Sequence, residues 1–188
     1  MTLQFLHKES TALIVVDVQE KLFAKIANNN EVLAKILSLI EAFHILEMPL
    51  FISEQYPQGL GKTVPAIQKL IEKMSIKAHH FEKRAFSCMQ EPSFRDAILN
   101  SHIQEFLVVG IEAHVCVLQT AKELLKWGKK VTVATDATSS RNVPDFTSAK
   151  GELLVANARL TTVETILFEL VRDSRAPAFK AISKLITS

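Results

Sequence analysis

The stretch Val108-Val109-Gly110-Ile111-Glu112-Ala113-His114-Val115-Cys116-Val117 joins an apolar run to a helical pattern through a glycine. Continuous rather than alternating apolarity is what a strand shows when both faces are buried, as in a parallel sheet covered by helices. After Gly110, the positions Val117, Leu118, Ala121, Leu124 and Leu125 recur at helical spacing, Lys122, Glu123 and Lys126 lie opposite, and Gly128 fits the helix end. Cys116 falls in the first turn of that helix. Unpaired N–H groups and the positive end of the helix dipole there favour a thiolate, the nucleophilic form of cysteine.

Outward from this stretch the same unit repeats. Leu13 to Val16, Leu50 to Ile52 and Val131 to Ala134 are further continuous apolar runs, and weaker strands are expected at Ala78 to Phe81 and Leu160 to Val163. Between them run helical patterns. One carries Val32, Leu33, Ile36, Leu37, Ile40 and Phe43 on one face, with Asn30 as its cap and Met48-Pro49 after its end. Others are predicted near Val64 to Lys73, Pro92 to Asn100, Asp145 to Ala158 and Glu164 to Arg172, and Pro177 opens a terminal helix expected to pack on the core, with contact to another subunit as the alternative. Pro57, Gly59 and Gly61 mark Ser53 to Lys62 as a loop at the carboxyl end of the second strand. The alternation predicts an α/β fold of three layers, α/β/α, around a doubly wound, mainly parallel six-stranded sheet, with residues 1–188 forming one domain.

With 48% hydrophobic residues, the 188-residue chain can bury a substantial core. A formal charge of +2, with basic residues only in short pairs such as Lys83-Arg84 and Lys129-Lys130, argues against a nucleic-acid partner. Neither a G-x-G-x-x-G nor a Walker pattern occurs among only five glycines, which argues against nucleotide binding. Met1 to Ser10 lacks a signal-peptide apolar core, and no apolar run approaches the roughly 18 residues of a membrane span. Two cysteines, Cys88 and Cys116, suit a reduced compartment, so a cytoplasmic protein with no membrane partner is expected.

In open α/β sheets, ligands bind beyond the carboxyl ends of the strands, so reactive residues that directly follow strands are site candidates. Asp17, Lys83 and Cys116 occupy such places. Taken singly, each has an ordinary explanation: an Asx turn for Asp17, a solvated surface lysine for Lys83, a small buried hydrophobe for Cys116. Together they supply a nucleophile, a carboxylate able to take and return its proton, and a fixed cation, which is the equipment of acyl transfer through a thiol. His114 stands two residues before Cys116, a spacing that points elsewhere around a helix, and Cys88 reads as structural.

Three segments carry a resemblance: Leu13-Ile14-Val15-Val16-Asp17-Val18-Gln19, Lys83-Arg84-Ala85-Phe86-Ser87 and Gly110 to Val117. In that order, and over nearly the whole chain, the sequence resembles the isochorismatase-like cysteine hydrolases, which include nicotinamidases and N-carbamoylsarcosine amidohydrolases. The resemblance implies a catalytic triad of Asp17, Lys83 and Cys116, an oxyanion hole formed by the N–H groups of Glu112 and Cys116, a cis peptide between Ile111 and Glu112, and a homo-oligomer. Phe23, Tyr56 and Phe86 are candidate walls of the substrate pocket, each equally explicable as core.

The departures narrow the expectation. Metal-binding nicotinamidases carry an Asp-x-His motif where this chain has Ser53-Glu54-Gln55-Tyr56-Pro57, and His79 and His80, adjacent on a strand, make a poor ligand pair. No metal and no cofactor is expected. Isochorismatases proper tend to lack the cysteine. Glu54-Gln55-Tyr56-Pro57, Glu112-Ala113-His114 and Thr138-Ser139-Ser140-Arg141 bring the chain nearest the isochorismatase domain-containing branch. The expected activity is hydrolysis of a C–N bond in a small amide-like substrate through a Cys116 thioester; the alternative is a binding or scaffold protein that keeps the fold without turnover.

Overall fold

The computed structural model describes residues 5–26 and 28–187, Thr187 by its backbone alone. Part of the amino-terminal segment read above, residues 1–4, therefore lies outside the described residues, as does Ser188. Six strands, β1 (Thr11–Val16), β2 (Leu50–Gln55), β3 (Ala78–Lys83), β4 (Glu105–Gly110), β5 (Lys130–Thr138) and β6 (Arg159–Thr161), form one sheet in the order β3-β2-β1-β4-β5-β6. All five neighbouring pairs are parallel. The connecting helices are α1 (Glu20–Phe23), α2 (Asn29–Ile45), α3 (Pro57–Leu60), α4 (Pro65–Met74), α5 (Pro92–Leu99), α6 (Leu118–Lys126), α7 (Val143–Val155), α8 (Val163–Val171) and α9 (Phe179–Thr187).

Successive side chains on a strand point to opposite faces, and each face here has its own core. On β1, Leu13 and Val15 join a cluster with residues of α2, α4, α8 and α9, whereas Ala12, Ile14 and Val16 join one with residues of α5, α6 and α7. This two-sided burial explains the unbroken apolar runs of the central strands. β3 is an edge strand with only Lys83 buried, which is why its sequence signal is weak. Helix α9 packs against the core as expected, with Ile182 fully buried and the Ser38 hydroxyl on α2 donating to the Leu185 carbonyl at 3.2 Å.

Several local expectations shift. Helix α2 starts two residues earlier than predicted, flanked by Asn28 in place of Asn30, and Asn28 makes no side-chain cap; its Oδ1 instead accepts from the Ser139 hydroxyl at 2.8 Å. Ser53, Glu54 and Gln55, assigned above to a loop, are the last residues of β2, because they pair in register with Phe81, Glu82 and Lys83. The helix after β4 opens with a π-helical turn, Ala113–Val117, in which the Val117 N–H reaches back to the Glu112 carbonyl at 3.3 Å.

The strand order reverses between β1 and β4, which open in opposite directions from the centre of the sheet. Gly110 makes the junction there. Its φ is +113°, and a Cβ at this position would lie 2.2 Å from the Val16 carbonyl oxygen, which accepts the Ile111 N–H at 2.9 Å. Only glycine lets the β4 exit run this close to the β1 exit. Gly110→Ala is therefore expected to cost about 2–4 kcal/mol, from backbone strain plus overpacking. Gly128→Ala, at φ +75° with open space around it, is the control and should cost about 1 kcal/mol. Urea midpoints of the two variants against the parent chain measure the difference.

Candidate active site

Asp17 directly follows β1 and adopts φ +51°, a left-handed conformation that aspartate tolerates better than most residues. Its N–H donates to the Ser53 carbonyl at 3.1 Å, which ties the turn to the end of β2. From β3, across β2, the Lys83 ammonium reaches the Asp17 carboxylate, with Nζ 2.6 Å from Oδ2. The other carboxylate oxygen, Oδ1, accepts from the Ser53 hydroxyl at 2.7 Å. Cys116, in the π-helical turn beyond β4, brings its thiol against the same carboxylate, which acts on it through charge and as a hydrogen-bond partner. The sheet thus assembles Asp17, Lys83 and Cys116 in one place, at 0%, 3% and 5% exposure.

Lys83 has no donor to spare. An ammonium carries three N–H groups. Asp17 Oδ2, Gln55 Oε1 at 2.8 Å and the Phe86 carbonyl at 2.8 Å take them, with the Ala85 carbonyl further away at 3.4 Å. Gln55 is held in turn: its Nε2 donates to the Arg84 carbonyl at 2.6 Å, and its N–H donates to Gln19 Oε1 at 2.7 Å. The Gln19 amide donates to the carbonyls of Gln55 and Gly61 at 3.0 and 2.7 Å. The lysine acts on its surroundings as a fixed positive charge.

On the other side, the Ile111–Glu112 peptide is cis. Around it the N–H groups are committed: Ala113 donates to the Ser139 carbonyl at 2.9 Å, and Val115 and Val117 donate to the Glu112 carbonyl at 3.1 and 3.3 Å. The Glu112 carboxylate accepts from Arg141, through its N–H at 3.0 Å and its Nε at 3.1 Å, and His114 Nδ1 lies 2.9 Å from the Ser140 hydroxyl. Three ties thus fasten the turn to the segment after β5: Ala113 to Ser139, His114 to Ser140 and Glu112 to Arg141. Among the aromatic candidates, Phe23 is buried in the core beside α2. Tyr56 and Phe86 are about half exposed, the Arg84 guanidinium sits 4.0 Å over the Tyr56 ring, and Phe86 serves the site through its carbonyl.

A family model for the isochorismatase domain matches residues 11–165, a span that includes Asp17, Lys83 and Cys116. The chain belongs to the isochorismatase family. Isochorismatase domain-containing protein 2 of Danio rerio is 35% identical over 96% of this chain and 89% of its own length. A solved structure of the MAR1 ribonuclease of Caenorhabditis elegans is 40% identical, with a TM-score of 0.90 over 98% of this chain and 93% of that one. The YcaC gene product of Escherichia coli, described as an octameric hydrolase of unknown specificity, superposes with a TM-score of 0.91 over 100% of this chain and 91% of that one. At 21% identity it speaks for the fold alone.

Within this isochorismatase-like fold, the resting state of the thiol differs from the sequence expectation. Burial pushes the Cys116 thiol above the ordinary range, the Asp17 charge pushes it further, and the opposing Lys83 charge does not win. A preformed thiolate is not what the site holds. Burial, the largest single influence, lowers the proton affinity of Lys83, but the Asp17 charge and hydrogen bond together with the neighbouring Cys88 and Cys116 outweigh it and raise the affinity on balance, so the ammonium stays charged. Cys88, on a short 3-10 turn from Cys88 to Gln90, is fully buried beside the site, and its thiol too is held above the ordinary range by burial and then by Asp17.

The sequence pattern did not mark Ser53 and Gln55 as members of the site and left Cys88 as a structural cysteine, whereas it lies beside the site. The period-2 pattern of a strand end was a usable signal for the first two: Ser53 and Gln55 share a face, and Gln55 stands opposite Lys83 in the register.

The two thiols set a pH dependence of stability. An unfolded thiol ionises near pH 8.5, about where the unfolded chain begins to shed protons that both folded thiols retain. Above that pH the unfolded state binds fewer protons, so stability falls as pH rises, by at most about 1.4 kcal/mol per pH unit for each thiol. Lys83, raised in the fold, adds to the loss only above the unfolded lysine value of about 10.4. Urea midpoints should be level up to pH 8 and decline from there to pH 10. Cys88→Ala should lower the midpoint overall yet flatten the decline by about half.

Proposed function

We propose that this chain is a cysteine hydrolase that cleaves the C–N bond of a small amide-like substrate, with Cys116 as nucleophile, Asp17 as general acid and base, and Lys83 as fixed cation. The observation that carries the reading is the placement of one carboxylate between a saturated, buried ammonium and the buried Cys116 thiol. A proton acceptor in contact with a thiol that holds its proton suits activation at the moment of attack.

The cycle runs as follows in this reading. Asp17 takes the Cys116 proton as sulfur bonds to the carbonyl carbon, and the oxygen of the tetrahedral adduct accepts from the Glu112 and Cys116 N–H groups. As the C–N bond breaks, Asp17 returns the proton to the leaving nitrogen and a thioester remains. Water then gives a proton to Asp17 and adds to the thioester carbonyl. Collapse releases the carboxylic acid, and the thiol recovers its proton. Lys83 lowers the cost of each charged arrangement without transferring a proton itself. Phe23, Tyr56 and Phe86 are kept as candidate pocket walls.

The same reading treats residues 1–188 as one domain acting in the cytoplasm on a small molecule. It also takes the protein as a homo-oligomer, which the octameric assembly of the E. coli relative supports. Two competing readings have specific support. The burial of Cys116 and its raised proton affinity favour a binding protein without turnover. The ribonuclease description of the C. elegans relative favours phosphodiester cleavage. Against the latter stands the saturation of Lys83, which leaves no free donor for a phosphate.

A panel of small primary and secondary amides, followed by product release and intact-mass detection of an acyl adduct, tests the three together. Turnover of at least one amide is expected, with an adduct that maps to Cys116. Cys116→Ala should abolish turnover, and Asp17→Asn should lower kcat by about 10²–10⁴. Unchanged turnover in Cys116→Ala, or an adduct on Cys88, overturns the assignment. Absence of any amide turnover supports the binding reading, and cleavage of single-stranded RNA that survives Cys116→Ala supports the ribonuclease one.

A further inference from the structure

Ser53 enters none of the roles assigned above, yet it is the residue that fixes how the Asp17 carboxylate is turned. Its carbonyl accepts the Asp17 N–H at 3.1 Å, and its hydroxyl donates to Asp17 Oδ1 at 2.7 Å. A hydroxyl owns one proton. That proton points at Asp17, and the Cys88 thiol is the other hydrogen-bond neighbour of the Ser53 side chain. Cys88 is placed by its own N–H, which donates to the Thr120 hydroxyl at 3.0 Å, one turn beyond Cys116 on the continuing helix. A chain of groups thus runs from the nucleophile's helix through Thr120, Cys88 and Ser53 back to the carboxylate that faces the nucleophile.

We propose that Ser53 is a positioning residue of this site: it holds Oδ1 of Asp17 so that the carboxylate, anchored at Oδ2 by Lys83, keeps a lone pair directed at the Cys116 thiol, and Cys88 supports it from behind. The inference rests on the hydrolase reading given above. Two point contacts define the orientation of a planar carboxylate where one would let it swivel about the Lys83 contact. A carboxylate that swivels loses proton-transfer geometry without losing its charge, and displacements of about 1 Å at a reacting group can cost about 100-fold in rate.

The hydroxyl can be removed without changing shape, because threonine and valine are isosteric, and the backbone contact from Asp17 to Ser53 survives either substitution. The probe is acrylamide, a small electrophilic amide, with the rate of adduct formation at Cys116 followed by peptide mass mapping at pH 7.5, and Cys116→Ala as blank. Ser53→Val is expected to lower the limiting rate about 10- to 100-fold with little change in the half-saturating acrylamide concentration, and Ser53→Thr to stay within about threefold of the parent. Thermal midpoints check that both variants fold. Equal slowing in Ser53→Thr and Ser53→Val overturns the proposal, because packing rather than the hydroxyl then matters. Parent-like rates in both, with Asp17→Asn slow, overturn the role of Ser53 and leave the hydrolase reading standing. Parent-like rates in all three, Asp17→Asn included, remove that reading and this proposal with it.

Discussion

The buried pair of Asp17 and Lys83 is the constraint to which the rest of the site answers. Removing two charges from water costs several kcal/mol per ion, and their mutual attraction repays this only with good geometry and full hydrogen bonding. Both conditions are met here by neutral partners: the Ser53 hydroxyl for the acid, the Gln55 side chain and the Phe86 carbonyl for the base. Ser53 and Gln55 end β2, paired with Val16 on one side and with Lys83 on the other, so the hydrogen-bond ladder of the sheet sets the distances within the ion pair. A polar network of this kind, buried in a strand end with a left-handed Asp17, is a local conflict of the sort that folds carry at sites of chemistry.

The fold was largely readable because its signal is periodic. Central strands buried on both faces must be apolar without interruption, and the helices that cover them must show one apolar stripe each, so β1, β2, β4 and β5 and the long helices stand out in the sequence. The edge strand β3 was marked only faintly, since its outward residues face water. What sequence could not convey was register. Whether Ser53-Glu54-Gln55 continue a strand or leave it depends on a partner more than twenty residues away, and turn formers at Pro57, Gly59 and Gly61 outweighed that partner in any local reading. Cys88 could not be placed from sequence for the same reason: its neighbour Thr120 lies 32 residues on. Asp17, Lys83 and Cys116 were accessible because strand ends in a doubly wound sheet converge whatever the loops do.

The expectation about the thiol failed for a different reason. A helix N-terminus lowers a thiol's proton affinity only where its free N–H groups point at a reasonably solvated sulfur. Cys116 instead sits in a wide π-helical turn, 5% exposed, with a carboxylate against it. Burial and like charge act in the same direction and exceed the attraction of Lys83, whose charge is already engaged with Asp17. Contact with Asp17 gives the buried thiol a proton acceptor at hand.

The same logic bears on the shelf formed by Ser53, Glu54 and Gln55, where metal-binding relatives were expected to differ. Each side chain there already has an engagement: Ser53 with Asp17, Glu54 with the N–H and hydroxyl of Thr63 at 2.6 and 2.8 Å, and Gln55 with Lys83 and Arg84. Glu54 fastens the segment between α3 and α4, and the other two face the ion pair. A carboxylate in place of Gln55 would set a second anion beside Lys83 and loosen its hold on Asp17, and a histidine there would have to choose between the ammonium and the Arg84 carbonyl. The amide can serve both at once, accepting from the charge and donating to the backbone. In this chain the end of β2 is therefore shaped to hold the lysine, and through the lysine to hold the Asp17 carboxylate against the thiol.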